Sequence, residues 1–187
     1  MNPIHNVICA SRPWRRRVDR KLVPWALEDL DLGTRVLEIG PGFGATTRSL
    51  VRRLRRLDVL ELDPRYCERL QAQFGSRVNV TCGNATAMPY PDGGFSAVLS
   101  FTMLHHIPSR ELQDRVFSEV ARVLTSGGTF AGTDSIGEGR LFKLIHLGDT
   151  LVPIDPQELS ARLKAAGFDG VEVQREDRSF RFRARRP

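Results

Sequence analysis

The sequence predicts an α/β fold: a seven-stranded, mostly parallel sheet with helices on both faces and an antiparallel final strand. Three observations carry this. Short apolar runs alternate with amphipathic stretches along all 187 residues. The first strong run enters a glycine-rich turn, "VLEIGPGFGATT" (Val36 to Thr47), and leaves it in a helical pattern. The chain then ends on "GVEVQRED" and "SFRFRARR", two alternating segments that read as an antiparallel pair.

Each element has its own local signal. A helical N-terminal segment is expected from Pro13 to Leu30, interrupted near Pro24. "RVLEIG" is a buried strand. "ATTRSLVRRLRRL" is an amphipathic helix with Leu50, Val51, Leu54 and Leu57 on one stripe and arginines opposite. "DVLEL" is a strand, and "PRYCERLQAQF" a helix with proline in its first turn. "RVNVTCG" and, after the turn "PDGG", "FSAVLSF" are strands. "SRELQDRVFSEVARVL" is a helix capped by Ser109. "GGTFAGTD" is the fifth strand. "DPQELSARLKAAGF" is a helix, with Asp155 as its cap and Gly167 at its end. The whole chain, residues 1–187, reads as one domain, with a helical cap over 1–30. The less regular segment Ile136 to Pro153, containing "RLFKLIHL", is either a buried helix or a lid over a substrate pocket.

Composition narrows the function classes. Hydrophobic residues make up 41% and charged residues 27%, the balance of a globular chain. No apolar run is long enough to span a bilayer, and the N-terminal arginines follow a short mixed patch, the wrong order for a signal peptide. A cytoplasmic protein is expected. Cys9, Cys67 and Cys82 are widely spaced and show no ligand spacing, so neither a disulfide framework nor a metal site is expected. Only Lys21, Lys143 and Lys164 are lysine, so arginine supplies 25 of the 28 basic residues behind the net charge of +6. The runs "RRRVDRK" and "RRLRR" read as solvated helix faces, and a nucleic-acid partner is not expected.

The glycine turn asks what its backbone approaches so closely. Gly40, Gly42 and Ala45 fit a dinucleotide pattern, which alone is a weak signal. Glu38 lies two residues before Gly40, Pro41 offers no N–H, and Gly44 adds a third alternate glycine. A carboxylate beside a pyrophosphate is unfavourable, whereas one beside an ammonium is welcome. S-adenosylmethionine (SAM) carries an ammonium and a sulfonium and no phosphate. On these residues the sequence resembles the class I SAM-dependent methyltransferases, in the small-molecule group linked to quinone, sterol or lipid modification.

The resemblance implies a Rossmann-like sheet, SAM as cofactor, and a set of cofactor residues. Glu38, Gly40, Gly42 and Gly44 belong to the first motif. "VLELDPR" resembles the second, which makes Glu61 the ribose-binding acid beside Leu62, with Asp63 as the competing assignment. "GNATAMPYPDGGFSAVLSFTMLHHI" resembles the third and fourth, bringing in Asn84, Ala85 and Ser100. The family usually has aspartate where Asn84 stands, so the adenine amino group would meet an uncharged acceptor. It also favours aspartate where Ser96 stands, a position expected to be structural.

His105 and His106 follow the fourth strand and are the candidate catalytic bases; packing beside the cofactor is the competing role. Asp134, ending the fifth strand, would line the substrate mouth or cap the next segment. Trp14 and Trp25 would close over the cofactor or pack on the core. The expected activity is methyl transfer to a small, partly apolar acceptor. An RNA or protein methyltransferase and a non-catalytic SAM-binding protein are the alternatives.

Overall fold

The computed structural model describes residues 2–137 and 148–187. Seven strands form one sheet: β1 (Val36–Ile39), β2 (Leu57–Glu61), β3 (Asn79–Cys82), β4 (Phe95–Phe101), β5 (Leu124–Ser135), β6 (Asp169–Glu176) and β7 (Ser179–Arg185). Their order is β3-β2-β1-β4-β5-β7-β6. The first five are parallel, and β7 pairs antiparallel with both β5 and β6. The predicted fold class is the observed one. The chain reverses its direction of travel across the sheet between β1 and β4, the place where such sheets open a crevice for ligands.

Strand alternation sends side chains to two cores. Leu37, Ile39, Val98 and Phe130 face one, covered by α6 (Arg110–Val123) and α7 (Pro156–Ala165) through Phe117, Val120, Leu159 and Leu163. Phe130 is its centre, with the Phe182 ring 4.9 Å away edge-on and Phe168 at 5.8 Å. Truncating a fully buried phenylalanine of this kind costs about 3–5 kcal/mol. Val36, Val59, Leu99 and Ala131 face the other core. There they meet Leu50 of α4 (Ala45–Leu50), Leu70 and Phe74 of α5 (Pro64–Phe74), and Val18, Leu22 and Val23 of the N-terminal helices.

Capping signals are read correctly. Ser109 accepts from the Leu112 N–H at 3.3 Å to start α6, and Asp155 accepts from Gln157 at 2.8 Å to start α7. Ser96 is structural: its hydroxyl accepts from the Arg35 N–H at 3.0 Å and donates to the Leu32 carbonyl at 2.7 Å, fastening the approach to β1.

Four expectations are corrected. The helical N-terminus begins earlier, with α1 (Pro3–Ala10) and α2 (Arg12–Arg17), and Pro24 does not interrupt it. A π turn over Val18–Leu22 leads into α3 (Val23–Ala26), and the Val23 N–H bonds five residues back to the Val18 carbonyl. Widening the ladder by one residue accommodates a proline that has no N–H to offer. The helix after the glycine turn stops at Leu50, because Leu57 is claimed by β2, opposite Val36. Strand β5 starts at Leu124, earlier than the predicted "GGTFAGTD". Finally, Cys67 and Cys82 are not free thiols: they form a disulfide, Cα atoms 6.0 Å apart. The register that sets Glu61 beside Cys82 brings the first turns of α5 over the end of β3, and no sequence spacing reveals that proximity.

The core of the expected lid, 138–147, lies outside the described residues. Its flanks are tied down. The Ile136 N–H donates to the Arg178 carbonyl at 3.0 Å, and the Val152 N–H to the His105 carbonyl at 2.8 Å. Trp14 packs in the second core, and Trp25 lies under the Arg181 guanidinium at 5.7 Å, so neither tryptophan covers the ligand crevice.

Candidate cofactor and active site

A cavity of about 380 Å³ opens at the carboxyl edge of β1 to β4. Its floor is the glycine turn. Gly40 has φ of 63°, and a Cβ there would lie 2.2 Å from Met103 Cγ, so only glycine fits. Gly42 has φ of 53°, and a Cβ there would meet nothing within 4 Å: it would enter the open cavity. Backbone bareness at Gly42 is therefore room for a ligand.

Glu61 ends β2 in the cavity wall. One carboxylate oxygen accepts from the Gly42 N–H at 2.9 Å, the other from the Leu62 and Asp63 N–H groups at 2.8 and 3.1 Å. This fixes the glycine turn to the second strand. Asp63 is spent otherwise. It caps α5 through the Arg65 N–H at 2.9 Å and pairs with the Arg65 side chain at 2.6 Å, which pulls its carboxyl down to about 2. Both acids line the cavity, but only Glu61 is tied to the glycine turn, whereas the Asp63 carboxylate is taken up by Arg65. Asn84 lines the third side, its side-chain oxygen accepting from the Thr86 N–H at 2.9 Å, with Ala85 beside it.

Glu38 is placed differently from expectation. It is fully buried on the α4 face of β1, and both its oxygens accept hydroxyl protons, from Thr46 and, at 2.6 Å, from Thr47. Burial pushes its carboxyl up to about 7, against the opposing pull of the two hydroxyls. It lies behind the turn and does not line the cavity. Gly44 too is behind it, against Leu70 and Phe74. Ser100 is buried within β4, and its hydroxyl has no hydrogen-bond partner among the described residues.

The two histidines separate. His106 lines the cavity, and its Nδ1 lies 3.3 Å from the Thr150 carbonyl. A carbonyl only accepts, so Nδ1 is the donor in that bond. His105 is 2% exposed, and its Nδ1 is bonded to the buried carboxylate of Asp134. Its ring centroid lies 4.2 Å from that of His106. Asp134 is buried and does not line the cavity; its carboxylate also accepts from the Ser135 N–H at 2.6 Å, while the segment it was expected to cap lies largely outside the described residues.

The structure adds residues the sequence reading missed. Met103, Tyr66, Ile107, Leu112 and Val116 line the cavity, giving it a largely apolar wall. The i, i+4 spacing of Leu112 and Val116 was visible, but nothing local shows that this edge of α6 reaches the crevice. Gln113 was missed as well. Buried at 1% exposure, it donates to the carbonyls of Leu104 at 3.1 Å and Val152 at 2.8 Å.

The donor set fits SAM. Among the described residues no lysine or arginine lines the cavity, which leaves a pyrophosphate without a counter-charge there. The buried Glu61, and Glu38 behind the turn, instead favour a cationic, phosphate-free nucleoside ligand.

Known proteins place this geometry. Residues 36–128 match a family model described as a methyltransferase domain. A sterol 24-C-methyltransferase of Gibberella zeae is 30% identical over 157 residues, 73% of this chain and 40% of that protein. A ribosomal RNA small subunit methyltransferase of Cupriavidus necator is 42% identical, but over only 55 residues, 29% of this chain and 20% of its own length. The chain thus spans less than half the length of these curated relatives. Among solved structures, a SAM-dependent methyltransferase of Thermotoga maritima, titled a possible histamine N-methyltransferase, superposes with a TM-score of 0.75 at 19% identity, covering 98% of both chains. Sheet order, glycine turn and sequence matches agree: the chain belongs to the class I SAM-dependent methyltransferases.

Proposed function

We propose that this chain transfers the methyl group of SAM to a small, partly apolar acceptor bound in the cavity at the carboxyl edge of the sheet. The observation that carries the reading is that cavity: an open glycine turn, a buried ribose-side acid and, among the described residues, no lysine or arginine. The long match to a sterol methyltransferase, set against the short one to an RNA methyltransferase, supports a small-molecule acceptor.

When bound, SAM supplies an electrophilic methyl group on a sulfonium that is already a good leaving group. The protein's task is to position and to keep the site dry. Glu61 accepts from the ribose hydroxyls while its backbone bonds hold the glycine turn. Leu62 and Ala85 flank the adenine, and Asn84 accepts from its amino group. Glu38 favours the ammonium through its charge, from behind the turn. Met103, Ile107, Leu112 and Val116 give the acceptor an apolar wall. For an acceptor that must lose a proton, the cavity-lining His106 is the base. His105, held by Asp134, fixes the turn that presents His106 and is a positioning residue.

Calorimetry with SAM and with NAD, followed by transfer of labelled methyl to a panel of lipophilic and polar acceptors, tests this. SAM binding and labelling of a lipophilic acceptor are expected. Binding of NAD without SAM would overturn the cofactor, and labelling of RNA alone would overturn the acceptor class.

A further inference from the structure

A second recess, an open groove of about 850 Å³, lies between α2 and α4. Arg12, Arg15, Arg16, Arg48 and Arg52 line it, with Asp19 the one acid, a local charge of +4 where the whole chain carries +6. Elsewhere arginines meet carboxylates: Arg122 with Glu119 and Asp92, Arg162 with Asp114, Arg181 with Glu28. In the groove Asp19 bonds Arg52, and no other groove arginine has a carboxylate within ion-pair distance among the described residues. Uncompensated positive charge of this density carries a self-repulsion that an anionic partner removes. The basic surface continues outward through exposed Arg17, Arg20, Arg53 and Arg56.

Guanidinium groups select phosphates. Two phosphate-rich partners differ in what else they need. A single nucleic-acid strand is gripped by aromatic rings that stack its bases, and the groove lining has none. A lipid surface needs a broad basic field with apolar tips beside it. Those tips are present. Helix α1, joined to α2 through Ser11 alone, carries Val7, 70% exposed. Its neighbour Asn6 accepts from the Tyr66 hydroxyl at 3.1 Å, which sets α1 at the cavity rim. Leu62, on that rim, is 66% exposed. These are the two large apolar residues left exposed among those described. Among the described residues no helix is long and apolar enough to cross a membrane, so the contact would be peripheral.

We infer that the α2–α4 arginine face, with Val7 and Leu62, docks the cavity mouth onto an anionic phospholipid surface, from which a lipophilic acceptor enters without crossing water. This rests on the proposed apolar acceptor. The test is co-sedimentation of the full chain with phosphatidylcholine vesicles, with and without phosphatidylglycerol, at low and high salt. Pelleting is expected only with the anionic vesicles, and is lost in high salt. Combined Arg12→Glu, Arg16→Glu and Arg48→Glu substitutions should weaken it by roughly 100-fold or more, at about 1 kcal/mol per arginine. The milder Arg12→Gln, Arg16→Gln pair should give a smaller loss in the same direction. SAM affinity, measured by calorimetry, should be unchanged in both variants, which shows that they are folded. Equal pelleting with neutral vesicles, undiminished pelleting of the variants, or tighter binding to an RNA oligonucleotide than to anionic vesicles would overturn the inference. Vesicle binding as expected in a protein that binds no SAM would instead overturn the methyltransferase reading and leave the docking surface standing.

Discussion

The molecule has two recesses of opposite character. Among the described residues the cavity at the sheet edge is lined by Glu61 and Asp63 and by no arginine; the groove between α2 and α4 holds five arginines and one acid. Both are built on the glycine turn and its helix, since Gly42 floors the first and Ala45 lines the second. Within a few residues, then, the chain separates a place for a cation from a place for phosphates. A net charge of +6 says nothing of this division, because its meaning lies in where the carboxylates are.

Substitutions that touch one recess and leave the other alone sharpen the contrast. His106→Ala should lower turnover on a hydroxyl acceptor by about 10²–10⁴ with SAM affinity nearly unchanged. His105→Ala should cost less and raise KM as well as lower kcat, since it loosens the turn and leaves the base in place. If His106→Ala is fully active across a pH series, catalysis rests on proximity alone. Glu61→Ala should weaken SAM binding by about 1–3 kcal/mol in a titration, and should leave vesicle binding untouched. Loss of both together would mean the two recesses are not independent.

Glu38 makes the cavity side pH-dependent. Its carboxyl is raised in the folded state, from 4.5 to about 7, so the folded protein holds that proton more tightly than the unfolded chain. Its contribution to stability is therefore full at low pH and is lost as pH climbs between those values, by roughly 3 kcal/mol. Urea unfolding of wild type and Glu38→Gln at about pH 5 and about pH 8 should show the decline in wild type only. Bound SAM, being cationic, should offset it, so ligand stabilisation grows with pH in wild type. At the small end, Asn84→Asp should keep or slightly tighten SAM binding, and Ser109→Ala should cost about 1 kcal/mol of stability with SAM affinity unchanged.

Much of this was legible in the chain. Strand-by-strand alternation, the caps Ser109 and Asp155, and the glycine turn are local signals, and local signals survive folding. Glu61 was legible for the same reason, as an acid ending a strand that must lie beside the turn. What escaped depends on pairs remote in sequence. His105 and Asp134 stand 29 residues apart and meet only because β4 and β5 are neighbours. Cys67 and Cys82 meet through the β2–β3 register. Glu38 was assigned to the right motif, but the pleat that turns it toward Thr46 and Thr47, away from the cavity, shows only once the α4 face is known. The runs "RRRVDRK" and "RRLRR" are solvated as expected, and that they flank one groove shows only once α2 packs beside α4.

Gln113 has a consequence of its own. A single amide group reaches from α6 to the carbonyls of Leu104 and Val152, while the Val152 N–H closes back on His105. The turn bearing the histidines and the chain returning toward α7 are thereby laced into one patch. Neither can peel away without stranding buried carbonyls that water cannot immediately reach. In hydrogen–deuterium exchange these segments should open as one cooperative unit, with the Val152 amide reporting the same opening free energy as the histidine turn. Admission of an acceptor and alignment of its base would then be a single thermal event.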